Sequence, residues 1–202
     1  MQAQGPRSKI LIVGSGFGGL GMAIRLKQQG IHDFKIIERA AEVGGTWRDN
    51  TYPGVACDVP SHLYSFSFIK NPDWSRVFPQ GAEIQRYLIQ CCDQEKIRPH
   101  IDFHTQLERA SWNAKERIWE IHTSKGLYQA EILITATGHL ADEHLPQIPG
   151  LEEFEGQVMH SARWNHQISL ENQHVVVVGS GASAVQLVPE IAKTAKNLTV
   201  LQ

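Results

Sequence analysis

The chain has 202 residues, 42% of them hydrophobic and 20% charged, and a formal net charge of −2. That size buries a substantial core in one or two domains, and the near-neutral balance offers no bulk basic field to gather nucleic acid or an anionic membrane. No apolar run approaches the roughly 20 residues of a membrane span and the start MQAQGPRSK lacks a signal-peptide core, so a cytoplasmic protein without membrane or nucleic-acid partners is expected.

In chain order, KILIV at 9–13 reads as a buried strand, GSGFGG as a glycine loop, and the stretch after it as a helix with its C-cap at Gly30. FKIIE, Phe34 to Glu38, is a second strand, which completes a β-α-β unit. Residues 40–80 are rich in Gly, Pro, Asn, Ser and aromatics with little periodicity; irregular chain of this length is functional or disordered, and the aromatics argue for order. Ile84, Tyr87, Leu88 and Cys91 fall at helical spacing within 82–96. FHTQLERASW, RIWEIHT and LYQAEILITATG read as three strands, with turns at Asn113 to Glu116 and Ser124 to Gly126.

Pro146, Pro149 and Gly150 mark a linker. VVVV at 175–178 then empties into a second glycine loop, GSGASA, followed by a helix to about Lys193 and the apolar close LTVLQ. Pro189 predicts a kink or an early end to that helix. Gly14 and Gly179 lie too far apart for a solenoid period, so the duplicated strand-loop-helix pattern predicts two dinucleotide folds. The expected organisation is residues 1–139 as a first nucleotide domain, 140–172 as a linker and 173–202 as the start of a second nucleotide domain.

In the first loop Gly14, Gly16 and Gly19 fit GxGxxG. The first glycine permits the tight turn, the second lets a pyrophosphate approach the backbone, and the third allows close packing of helix on strand. The pyrophosphate then rests on helix N–H groups at the positive end of the dipole, beside Ser15 and Phe17. Glu38, with Arg39 after it, lies where an acid accepts hydrogen bonds from ribose hydroxyls. The second loop has Gly179, Ser180, Gly181 and Ser183, with Ala184 in the third glycine position, as the fingerprint allows. Pattern alignment puts Gln202 opposite Glu38, whereas counting from the first glycine puts position 203 there; either way no acid within this chain faces that ribose, which leaves room for the 2′-phosphate of NADP. Cys57, Cys91 and Cys92 form no CxxC, and the ten histidines show no HxxxH or HExxH pairing; no metal site and no nucleophilic cysteine is expected.

Between the loops, GGTWRDNTYPGVACDVPSHLYSFSF at 44–68 resembles the Baeyer–Villiger monooxygenases, flavoproteins with two dinucleotide folds. FEGQVMHSARWN at 154–165 is similar to the family fingerprint FxGxxxHxxxW followed by Pro or Asp: Phe154, Gly156, His160 and Trp164 match, and Asn165 departs from the last position. Trp164 leans toward Baeyer–Villiger chemistry, because the related N- and S-hydroxylating flavin monooxygenases have Tyr or Phe there.

The resemblance implies an α/β fold: a Rossmann-like FAD domain with a β-meander, closed by ATG at 136–138, then the start of a Rossmann-like NADP domain. It implies FAD on the first loop, NADPH on the second, and a ketone and O2 as small-molecule partners. NADPH would reduce FAD, O2 would add at the flavin C4a carbon, and the peroxyflavin so formed would attack the ketone to give an ester or lactone.

By resemblance Gly45, Thr46 and Trp47 line the FAD pyrophosphate and isoalloxazine. Ala56, Cys57 and Asp58 lie where flavin meets nicotinamide, with Asp58 the catalytic-site carboxylate that helps position an arginine. Tyr64 contacts flavin, the Leu107 backbone faces adenine, Thr137 and Gly138 close the flavin site, and the 154–164 fingerprint couples domains. The arginine belongs to a portion absent from this sequence, so a fragment is expected, poorly active unless a partner chain completes it. The alternatives are an N- or S-hydroxylating flavin monooxygenase and a non-catalytic nucleotide-binding module.

Overall fold

The structure, a computed structural model, describes residues 4–202 and the side chains from Pro6 onward; the first three residues of the N-terminal stretch read above lie outside it. The described residues divide into two compact units. One comprises the chain up to Arg48 together with Gln85–Ala141; the other comprises Asp49–Ile84 and Asp142–Gln202.

The first unit is built on six strands: β1 (Gln4–Val13), β2 (Phe34–Ile37), β3 (Ile101–Asp102), β4 (Leu107–Asn113), β5 (Ile118–Thr123) and β6 (Gly126–Thr135). They form one sheet in the order β3-β2-β1-β6-β5-β4. The pairs β1·β2, β1·β6 and β2·β3 are parallel, and β4, β5 and β6 form an antiparallel meander. β6 serves both parts: its first half lies between β5 and β1, and its second half runs on beside β1, with Ile132 opposite Ile10 and Ile134 opposite Ile12. Central parallel strands are covered on both faces, which explains why consecutive residues of β1, Ile10 to Val13, are all buried. Leu11, Val13, Ile37, Ile121, Tyr128 and Ala130 form one core cluster.

Helix α1 (Phe17–Gln28) presents Gly19, Leu20, Ala23 and Ile24 to the interior at helical spacing. It ends in a Schellman turn, with Ile31 N–H donating to Leu26 O, Gly30 N–H donating to Lys27 O, and Gly30 left-handed at φ 77°. A single short turn, α2, covers Thr46–Asp49, and α3 covers Gly81–Gln94, burying Ile84, Tyr87, Leu88, Cys91 and Cys92.

Three boundaries differ from the sequence reading. β1 begins at Gln4, because pairing with β6 extends it past its apolar run, with a register shift across Pro6. The strand read from Phe103 begins at Leu107, because His104 adopts φ 54° and turns the chain; β3, two residues long, precedes it. The last helix, α4 (Ala182–Ile191), contains Pro189, which lacks the N–H that would donate to Val185 O, and it ends at Ile191, two residues short of Lys193.

The second unit holds β7 (His174–Val178) and β8 (Asn197–Leu201), paired in parallel with Val176 opposite Thr199. Leu187 and Ile191 of α4 and Tyr52 form its core, packed by Val55, Trp164, Leu170, Val175, Val177 and Leu198. The alternate residues of the strands face outward: Val176 and Val178 are each 57% exposed and Val200 is 42% exposed. The irregular stretch in this unit is ordered by its own hydrogen bonds. Cys57 N–H donates to Pro79 O at 2.9 Å and Ser61 N–H to Val77 O at 2.7 Å.

Among the described residues no helix is long and apolar enough to cross a membrane, and no three His, Cys, Asp or Glu side chains are grouped to hold a metal ion.

Candidate functional site

In the first unit the glycines of the loop play three different physical parts. Gly14 has φ 96°, and a Cβ there would stand 2.6 Å from Ala136 O. Gly19 lies against the strand, where a Cβ would overlap Gly14 O. Gly16, the N-cap of α1, has an ordinary φ of −75°, and its nearest neighbour to a Cβ is the Gly45 Cα at 3.7 Å. Neither backbone angle nor packing demands glycine at 16. What a side chain there would fill is the open space in front of the helix N-terminus, where the first N–H groups lack intrahelical partners.

Gly44 and Gly45 bring a second glycine turn against this loop. Gly45 is left-handed at φ 52°, with a Cβ position 3.2 Å from the Gly16 Cα, and Gly44 N–H donates to Ser15 O at 3.1 Å. The Trp47 N–H returns to Gly44 O. The structure thus brings Gly45, distant in sequence, to Gly14, Ser15, Gly16 and Gly19 around the start of α1.

Glu38, at the end of β2 and 4% exposed, is the electrostatic centre of this cradle. One carboxylate oxygen accepts from Ser15 N–H at 2.9 Å and from the Ser15 hydroxyl at 2.7 Å. The other accepts from Ala40 N–H at 2.9 Å and pairs with Arg48 Nη1 at 3.1 Å. Four donors match the roughly four acceptor positions of a carboxylate. Glu38 therefore fastens the loop, and a ribose hydroxyl would share or displace one of these donors. Arg48, which also donates to Glu42 O, is a residue the sequence reading missed.

Around the rim, Arg39 donates to Ala141 O, Thr105 N–H donates to Glu38 O at 2.8 Å, and Leu107 follows at the head of β4. Ala136 N–H is held by Val13 O, ahead of Thr137 and the left-handed Gly138.

In the second unit Gly179 (φ 110°) closes β7, its N–H donating to Leu201 O at 2.8 Å, and Gly181 is the N-cap of α4. A Cβ at either position would meet nothing within 4 Å. Ser180 is exposed, Ser183 and Ala184 are half-buried, and Gln202 ends the chain exposed after β8.

Asp58 is exposed and follows buried Cys57. Burial pushes the Cys57 thiol up from its ordinary pKa, which suits a structural thiol more than a nucleophile. Ala56 bridges Gln80, and Tyr64 N–H donates to Pro60 O.

In the 154–165 segment Gly156 gives room to the Phe154 ring, which would lie 2.5 Å from a Cβ. His160 Nδ1 accepts from Ala162 N–H and caps the short turn at Ser161–Arg163. Trp164 packs on the Leu187 and Ile191 cluster. Asn165, at the departing position, accepts Gln167 N–H through Oδ1, a bond aspartate would make equally.

Compared with known proteins, residues 11–202 match the family model described as pyridine nucleotide-disulphide oxidoreductase, and the chain belongs to that family. Within it the similarity is to Baeyer–Villiger monooxygenases. The chain is 50% identical over 194 residues to a Baeyer–Villiger monooxygenase of Streptomyces coelicolor, covering 96% of this chain and 37% of that protein. Among solved structures, an open form of cyclohexanone monooxygenase superposes with TM-score 0.91 at 32% identity, covering 97% of this chain and 39% of the other. OTEMO in complex with FAD and NADP gives TM-score 0.90 at 32% identity, covering 96% and 39%.

The chain therefore spans well under half the length of these relatives. The α/β architecture with two dinucleotide folds, expected from the sequence, is the one these structures share. Cys57, Cys91 and Cys92 are all free and buried.

Proposed function

We propose that the chain forms the FAD- and NADPH-binding part of a cytoplasmic Baeyer–Villiger monooxygenase, which inserts one O2-derived oxygen beside a ketone carbonyl to give an ester or lactone. Residues 1–139 would be the flavin domain, 140–172 the linker and 173–202 the opening of the NADP domain. The observation that carries this reading is Gly16: its backbone angle and its protein neighbours would both accept a side chain, and as glycine it leaves the backbone at the start of α1 open to close approach by a pyrophosphate. The relatives support the identity of that group, since the OTEMO structure is a complex with FAD and NADP.

When bound, the flavin supplies the redox and oxygen chemistry. The residues of this chain bind and orient it. Gly14, Ser15, Gly16, Phe17 and Gly19 would cradle the FAD pyrophosphate, Gly45, Thr46 and Trp47 would flank it, and Glu38 and Arg39 would hold the ribose end, with Leu107, Thr137 and Gly138 at the rim. Gly179, Ser180, Gly181, Ser183 and Ala184 would receive the NADPH pyrophosphate, with Gln202 on the side of the missing acid. Ala56, Cys57, Asp58 and Tyr64 would line the meeting of the two nucleotides, where the exposed Asp58 carboxylate can orient a cationic group. Phe154, Gly156, His160 and Trp164 would couple the domains.

The test is to purify the chain, quantify bound FAD by absorbance and mass spectrometry, and repeat with Gly16→Val. The expected result is stoichiometric flavin in the wild type and at least about a hundredfold weaker binding in the folded variant, since the added side chain fills the pyrophosphate position. Flavin retained unchanged by the variant would overturn the site. Flavin and NADP+ binding in a complete oxygenase that oxidises amines or thioethers but no ketone would overturn the chemistry alone.

A further inference from the structure

We propose that Gln186 is a positioning residue that ties the second glycine loop to the Ala56–Asp58 segment, so that nucleotide on the loop is felt at that segment. The proposal rests on the reading above of Gly179–Ala184 as the NADPH site.

The backbone N–H and C=O of Ala56 each need a partner. On one side its extended segment pairs with residues 79–81: Cys57 N–H donates to Pro79 O at 2.9 Å and Gly81 N–H to Val55 O at 3.0 Å. In a strand, alternate residues direct their N–H and C=O to opposite edges. The Ala56 groups therefore face the other way, and each needs a partner. Gln186 supplies both: its Oε1 accepts from Ala56 N–H at 3.3 Å and its Nε2 donates to Ala56 O at 2.8 Å. A primary amide offers an acceptor and a donor side by side and so stands in for the peptide group of a neighbouring strand.

The same Oε1 accepts the Tyr52 hydroxyl at 2.9 Å, and Tyr52 is buried against Leu187 and Ile191 of the same helix. Between these contacts the loop backbone rests directly on α4. Gly54 is left-handed at φ 82°, and a Cβ there would stand 2.5 Å from Gln186 O. Gln186 lies one turn in from Ala182, the first residue of the helix that opens after Gly181. One rigid helix thus carries the glycine loop at its tip and holds Ala56 one turn later.

The experiment uses the purified 202-residue chain, NADP+ as the probe, calorimetry for binding and amide exchange at residues 56–58. In the wild type, saturating NADP+ should slow that exchange about fivefold or more. Gln186→Leu, which keeps the side-chain bulk but none of the three bonds, should still bind NADP+ and lose the response. Gln186→Glu, ionised at neutral pH, keeps acceptors but no donor and should bind NADP+ at about pH 7 and lose the response, because only an amide or a protonated acid can donate to Ala56 O.

A response that persists in Gln186→Leu, or in Gln186→Glu at about pH 7, overturns the proposal. NADP+ bound by the wild type without any response overturns the coupling alone. Absence of NADP+ binding in the wild type overturns the nucleotide reading, and the coupling falls with it.

Discussion

The two glycine loops are alike in sequence and different in what surrounds them. In the first, Gly14 is pressed by Ala136 O and Gly19 by Gly14 O, because β6 runs beside β1 and α1 lies close on the sheet. In the second, Cβ positions at Gly179 and Gly181 are open, and the two strands beside them leave Val176, Val178 and Val200 exposed. Both turns need the positive φ, and in the first unit packing adds a second constraint. A motif match therefore says what a loop can bind, and the neighbouring strands decide how firmly it is held.

The largest break in this comparison should come from Gly19→Ala, which forces a methyl into the Gly14 carbonyl and should cost about 3 kcal/mol or more in urea unfolding. Alanine already occupies the corresponding place in the second loop, at Ala184. Gly14→Ala and Gly179→Ala come next. Both pay the positive-φ penalty of about 1–2 kcal/mol, but only the first meets a carbonyl, so it should lose about 1–3 kcal/mol more in the same assay. Equal losses would show that packing does not distinguish the loops.

An alkaline titration has a smaller effect and acts on both units, since burial raises Cys57 in the second as well. In the first unit burial pushes the Cys92 thiol up from 9.0 to about 11, and burial raises Cys91 and Tyr128 as well. Unfolded chains release these protons first, so the stability they contribute is complete below about pH 9 and lost as pH rises toward 11. Urea midpoints measured across that window should fall, and Cys92→Val should flatten part of the slope. The smallest effect is expected at Val178→Thr on the open face of β7, where unfolding should change by less than about 0.5 kcal/mol. A loss of several times that would mean the face is covered in solution.

Much of this was legible in the sequence because it is local. The strand runs, the glycine turns, the Gly30 C-cap and the meander hairpins follow from adjacent residues, and the structure shows each of them. What was not legible depends on where distant chain comes to lie. Arg48 reads as one polar residue in an irregular stretch, and only the path of Gly44 and Gly45 over Ser15 brings it to Glu38. Gln186 is an unremarked helix residue until Gly54 lets the loop rest on α4. Glu38 stands out in the sequence by its position as a ribose acceptor, but its protein donors do not, since two of them are the N–H and hydroxyl of Ser15 in the loop itself.

The place of β6 in the sheet bears on how the first unit assembles. β1 is made early in the chain, yet one of its two neighbours, opposite Ile132 and Ile134, is about 120 residues away and follows a pair of tight hairpins. Closing so long a loop costs entropy that only the finished strand pair repays, whereas the hairpins need little closure. The order of assembly is then meander first and β1 beside β6 late, which leaves the glycine loop without its backing strand until synthesis has passed Thr135. Pulse-labelled exchange during refolding reads this directly, and protection of Ile10 to Val13 ahead of Ile118 to Tyr128 would contradict it.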